Sequence, residues 1–363
     1  MKTYLPYSLI LAAAASGMAF GAETAYTTPV GYVTLVIPAA SDTTIAPSLS
    51  KSPLLQAAAT LISGNVITVV ATGAANNAFI NALPDVNSKT YVLVRTGPLA
   101  GLRYPVTAND GTTITVNGGA TTLAAQGFVA GNTISVVPYW TLNTLFPAGA
   151  GVGQSNDIFA PTSFVLFSDQ VGIGANRGSS ALYFYNDGTD SNPAGWYDND
   201  NVFSGLQNTV ALDPSVMLTI RSKPGSASSV VVSGVVPSAG LATKIIKASG
   251  VNDEYLGAPF PIDTALAQTG LQSVIAAATD IFAPTEYVFV YADAAAGQNK
   301  GASATYFYFA GDIDFPAGWY DNDNVFGGIV TAPVIKAGRC FTLRKAGGTP
   351  GTAKWTAPVP YSL

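Results

Sequence analysis

The string PAGWYDNDNVF occurs twice, from Pro193 to Phe203 and from Pro316 to Phe326, and it gathers most of the chemistry this chain can offer. Asp198 and Asp200 in the first copy, and Asp321 and Asp323 in the second, set carboxylates two residues apart with Asn beside them. Hard oxygen ligands at that spacing could hold calcium. The EF-hand context is missing, because DNDNVFSGLQNT has no Gly at its sixth position and ends in Thr209 rather than a bidentate Glu. Trp196 with Tyr197, and Trp319 with Tyr320, could instead stack on a sugar whose hydroxyls bond to Asp and Asn, the two copies adding avidity. The leading reading is structural: a hairpin and its exit loop, with each Trp packed on the preceding Tyr-Phe-Tyr strand and Asx side chains bonding backbone amides. No cofactor is expected, calcium being the alternative.

Catalytic equipment is sparse. The chain has no histidine and one cysteine, Cys340. That excludes His-based triads, His zinc ligands and the commonest general base at neutral pH. A glycosidase-type carboxylate pair would need a second acid shared by both copies. Outside the string only Asp157 and Asp280 qualify, and both head a DIFAPT turn. Cys340 aligns with Met217, at a position that wants an apolar side chain, so it reads as a buried, inert thiol. Arg221 and Arg344 also correspond and read as strand-end arginines paired with carboxylates. No catalytic residue is assigned, and the chain is not expected to be an enzyme.

The string belongs to a longer duplication. At an offset of 123 residues, 157–240 against 280–363, 33 of 84 aligned positions are identical without a gap. DIFAPT, YFY and LTIR/FTLR all recur in register, which defines two homologous modules. Strands are expected near 163–168, 181–186, 194–198, 216–222 and 229–235, with counterparts 123 residues later, as in a compact antiparallel sandwich. Before the first copy, short Val-, Ile-, Thr- and Tyr-rich runs at 31–37, 65–70, 90–95, 112–116 and 133–137 alternate with turn signals such as Asn109-Asp110-Gly111. Residues 53–61 (PLLQAAATL) read as one helix.

Residues 1–21 read as a secretory signal, with Lys2, an apolar run from Leu9 to Met18 and a small-x-small site at Ala19-Phe20-Gly21. The organisation expected is therefore a signal at 1–21, an N-terminal β domain at 22–140, a first module at 141–240, a linker at 241–263 holding one helical turn or short strand, and a second module at 264–363. The fold class is all-β: a small N-terminal β-barrel or sandwich followed by two tandem homologous antiparallel β-sandwich modules. With 16 basic and 21 acidic residues the net charge is −5, and −6 once Lys2 leaves with the signal. A nucleic-acid partner is disfavoured without a basic face. A lone cysteine cannot form an internal disulfide, so the fold must rest on burial and hydrogen bonding. After residue 21 no apolar run approaches the ~20 residues of a spanning helix. An outer-membrane barrel would need longer, uninterrupted alternating strands.

Three N-terminal stretches, TTPVGYVTLVIPAASDT (27–43), YVLVRTGPLAGLRYPVTANDGTTITVN (91–117) and NTISVVPYWTLNTLFP (132–147), resemble a paralogous family of exported, β-rich proteins of verrucomicrobial bacteria. The resemblance covers 27–147 and, more loosely, the FVLFS, ALYFY and GW segments. It implies export and an envelope-associated role, and it brings no activity, cofactor or catalytic residue. The chain departs from the family in carrying its C-terminal module twice. The function expected is a non-catalytic exported structural or cell-surface protein (periplasmic, outer-surface or extracellular), self-associating or contacting an envelope component. The alternative is a glycan- or surface-binding adhesin using the duplicated Trp-Tyr-Asp-Asn loop.

Overall fold

The structure is a computed structural model and describes residues 29–80, 89–223, 225, 227–291 and 297–362. The expected signal, 1–21, lies outside the described residues. The chain is all-β.

The N-terminal part contains β1 (Val30–Ile37), β2 (Asp42–Ile45), β3 (Leu55–Ala58), β4 (Leu61–Ser63), β5 (Val66–Thr68), β6 (Thr90–Val94), β7 (Arg103–Asn109), β8 (Thr113–Val116) and β9 (Thr133–Pro138). Strands β3 to β9 form one seven-stranded antiparallel sheet in the order β3-β9-β6-β7-β8-β5-β4. One face encloses its own core of Ile67, Val92, Val94, Ile114, Ile134 and Val136. Strand side chains alternate between faces, so Tyr91 and Leu93 of β6 and Val137 of β9 point the other way. There they join the core of the second module. This two-sided burial accounts for the continuous apolar run of β6 and β9, against the alternation of β1, where Val33, Leu35 and Ile37 are buried and Tyr32 and Val36 exposed.

The helix expected over 53–61 is absent. The segment is extended, and β3 pairs with β9 from Leu55↔Val136 to Ala58↔Thr133. Ala and Leu favour helix only slightly, and a ladder along a sheet edge outweighs that local preference.

Next come β10 (Trp140–Thr141), β11 (Gln154–Ser155), β12 (Phe164–Ser168), β13 (Ser179–Asn186), β14 (Gly195–Asp198), β15 (Ala211–Leu212), β16 (Leu218–Arg221) and β17 (Ser228–Val235). The remaining strands are β18 (Leu241–Lys247), β19 (Asn252–Gly257), β20 (Tyr287–Val290), β21 (Ala304–Phe309), β22 (Gly318–Asp321), β23 (Cys340–Lys345) and β24 (Gly351–Ala357). In the first module β12 lies between β13 and β16 with β14 paired to β13; in the second, β20 lies between β21 and β23 with β22 paired to β21.

Strand pairing differs from the sequence-based division in two places. β1 and β2, expected in the N-terminal domain, pair with β17 and β16 of the first module. β18 and β19, expected as linker, pair with β24 and β23 of the second. The two modules are therefore completed in the same way, and the seven-stranded sheet is an insertion between β2 and β10 of the first. In each module a long two-stranded ribbon covers the main sheet. Val33, Leu35, Val230 and Val232 of one ribbon pack against Val165, Trp196, Leu218 and Ile220. The polar letters of β19 (NDEYLG) mask its burial in sequence, yet all six residues are buried, Asp253 and Glu254 with partners that compensate their polarity.

Candidate functional site

The duplicated string forms β14 and β22 with their exit loops. Tyr185↔Trp196 and Tyr308↔Trp319 are directly opposed in the two hairpins. The aromatic pairs meet edge-on, with centroids 5.6 and 5.4 Å apart. Trp196 is 0% and Trp319 2% exposed. Tyr197 and Tyr320 are buried too, stacked on Phe184 and Phe307. Each tyrosine donates its hydroxyl to the carbonyl of the string's own first residue, Pro193 at 2.9 Å and Pro316 at 2.8 Å. Burial raises both tyrosine pKa values. A sugar platform needs an exposed ring face, and none of these four rings provides one. The stacking role given to Trp196, Tyr197, Trp319 and Tyr320 is thereby corrected: they are core residues.

The carboxylates serve the loop. Asp198 accepts the Asp200 amide at 3.0 Å and Asp321 the Asp323 amide at 2.9 Å, the Asx turns that end each strand. Asp200 and Asp323 are exposed. Among the described residues no three acidic, His or Cys side chains converge as a metal site. Asp157 and Asp280 likewise accept the amides of Phe159 and Phe282. The exit loop folds back over the strand edge, with Gln207 donating to the Trp196 carbonyl and Val330 to that of Trp319. In the second copy, a Cβ on Gly318 would come within 2.9 Å of the Ile329 side chain, which would have to shift to admit it. The prolines, tryptophans, tyrosines and first aspartates of the string thus each have a local geometric task.

Its last letter is the exception. Phe203 is 85% and Phe326 80% exposed. Each touches the Phe of the DIFAPT turn, Phe159 at 6.0 Å and Phe282 at 5.8 Å, and Phe315 adds a third ring in the second module. Sequence reasoning passed over these phenylalanines. Their signal was identity between copies, in the DIFAPT turn and at the end of the repeated string.

A second constellation lies where the modules meet. Arg221 forms a two-pronged pair with Asp42 at 2.8 and 2.7 Å, and Arg344 does the same with Asp253 at 2.7 and 2.8 Å. Here the strand-end arginines find their carboxylates. Each pair then receives a loop from the other module. Asn299 donates its amide to Asp42 at 2.7 Å and accepts from Arg221 at 2.8 Å; Asn176 donates to Asp253 at 2.7 Å and accepts from Arg344 at 2.9 Å. Asn176 and Asn299 occupy the left-handed region at φ 54° and 52°, which Asn tolerates better than most residues. The exchange extends along the backbone. Asp42 and Asp253 donate to the carbonyls of Gly297 and Gly174, and Ala46 and Gly257 to those of Gly338 and Ser215. Every contact has its counterpart 123 residues away, or 211 for β2 against β19. Two homologous modules thus clasp each other reciprocally.

At the centre of the clasp Met217 and Cys340, the aligned pair, pack with Ala46, Tyr255 and Tyr291. Burial pushes the Cys340 thiol well above its usual range, which suits an inert filler rather than a nucleophile. The carboxylate partners raise the guanidinium pKa values of Arg221 and Arg344, so both stay charged. Compared with protein-family models, curated proteins and solved structures, the chain has no match.

Proposed function

We propose that this chain is a non-catalytic exported structural protein of the cell envelope or surface, built from self-packing β modules. The observation that carries the reading is the reciprocal clasp, which commits the shared Arg221 and Arg344, with Asn176 and Asn299, to holding the two modules together. Supporting it, the duplicated aspartates close turns, the duplicated tryptophans fill cores, and the one thiol is buried. Export rests on the signal-like N-terminus, Lys2 followed by the apolar run from Leu9 to Met18 and Ala19-Phe20-Gly21. Self-association would proceed through strand edges such as β4, which ends the seven-stranded sheet and carries the exposed Leu61.

Fractionation of the source cells, followed by size-exclusion chromatography and electron microscopy of the mature protein, tests this. Recovery from the envelope or medium as ordered assemblies is expected. A strictly monomeric cytoplasmic protein would contradict it.

A further inference from the structure

Where the seven-stranded sheet meets the two modules there is a cavity of about 370 Å³, a volume within the range of small-molecule sites. One wall is the outward face of that sheet. Gln56 opposes Ser135, which opposes Leu93, which opposes Arg103, so these side chains lie in one row across four strands. Arg95 follows two residues after Leu93 and shares its face. The opposite walls come from the modules and are mostly apolar, including Pro47, Leu49, Val235, Leu241 and Pro259.

The charge of the lining is one-sided. Among the described residues, Arg95 and Arg103 are the two charged residues that line it, and no Asp or Glu does, in a chain whose net charge is −5. Among the described residues neither guanidinium forms an ion pair within 4.0 Å. This contrasts with Arg221 and Arg344, each held by a carboxylate. Arg95 reaches the Ser238 hydroxyl at 3.1 Å. Asp213 lies in an adjoining cavity that Arg103 also borders. Its Oδ1 already accepts the amide and hydroxyl of Ser215 at 2.8 and 2.6 Å. Two half-buried guanidiniums without carboxylate partners, facing an apolar enclosure, match an anion whose charge sits at one end of a hydrocarbon body. A planar guanidinium pairs with a carboxylate through two parallel hydrogen bonds.

We infer that this junction cavity binds an amphiphilic carboxylate, its head group between Arg95 and Arg103 and its apolar body against the proline- and leucine-lined module walls. The inference is independent of the structural role proposed above, and its failure would leave that role standing. Isothermal titration of the full chain with decanoate, decanol and acetate tests it, alongside the variants Arg95→Gln and Arg103→Gln checked for folding by circular dichroism. Saturable one-to-one binding of decanoate is expected, at least tenfold tighter than that of decanol or acetate and at least tenfold weaker in each variant. Absence of saturable decanoate binding would overturn the inference. So would equal binding of decanol, or binding that survives both replacements. Should either variant fail to fold, the comparison of the three probes on the unaltered chain decides.

Discussion

Single residues separate what the duplicated string does from what its composition suggests. Trp196 and Trp319 are anchors, so Trp319→Ala should cost about 3–5 kcal/mol of stability. Phe326→Ser, at an exposed site, should stay within about 0.5 kcal/mol. Denaturant unfolding of both variants checks this; a harmless Trp319→Ala would return the ring to the surface. The indole N–H groups of Trp196 and Trp319 have no acceptor among the described residues, and a buried unmade hydrogen bond costs about 1–3 kcal/mol. Trp319→Phe should accordingly be far milder than Trp319→Ala. Glu254 adds a pH dependence. Burial raises its carboxyl from 4.5 to about 7, so the folded chain holds the proton more tightly than the unfolded chain does. Its stabilising contribution is complete below pH 4.5 and is lost as pH rises through about 7. The melting temperature should fall across that window, and Glu254→Gln should flatten the fall. An unchanged slope in the variant would contradict the assignment. These roles were only partly legible in sequence, because an aromatic string reads equally well as a core hairpin or a ligand platform. Burial alone tells them apart.

At the scale of elements, the repeat period and the alternating runs gave the strands of both modules, because a gapless 123-residue offset carries register with it. Two kinds of element were hidden. β3 was obscured by Ala and Leu, whose local preference for helix yields to pairing with β9. β1 was expected as a strand at 31–37, but its pairing, and the place of β2, β18 and β19 in the modules, were hidden by distance and divergence. Their partners lie far along the chain, and of the clasp residues in these four strands the aspartates Asp42 and Asp253 alone are identical. Those aspartates give the prediction at this scale. Arg221→Ala leaves Asp42 without its two-pronged partner and detaches the Asn299 loop, and should cost about 2–3 kcal/mol. Arg344→Ala should cost a similar amount through Asp253 and Asn176. Arg→Lys at either position should recover only part, because an ammonium cannot reproduce the paired hydrogen bonds. Chemical denaturation of the four variants measures both the size and the equality of the effects. A harmless Arg221→Ala beside a damaging Arg344→Ala would mean that the clasp is not reciprocal.

For the whole molecule, the duplication is a device for building one body from two copies of a module. Each copy is closed by two strands that precede it in the chain, one pairing into a ribbon with its last strand and one extending its main sheet, and each sends a loop into the ion pair of the other. The seven-stranded sheet is inserted into the first module and shares its outward face with the core of the second, so three units are tied at one junction. Such an arrangement holds the three units together by burial and hydrogen bonding in a chain whose single cysteine allows no internal disulfide. The central claim is that the modules stand or fall together. Differential scanning calorimetry of the full chain, compared with the double variant Arg221→Ala plus Arg344→Ala, tests it most directly. The account predicts that both modules of the unaltered chain melt in one cooperative transition, and that the double variant melts several degrees lower with the transition broadened or split. Separate module transitions in the unaltered chain, left in place by the double replacement, would contradict it.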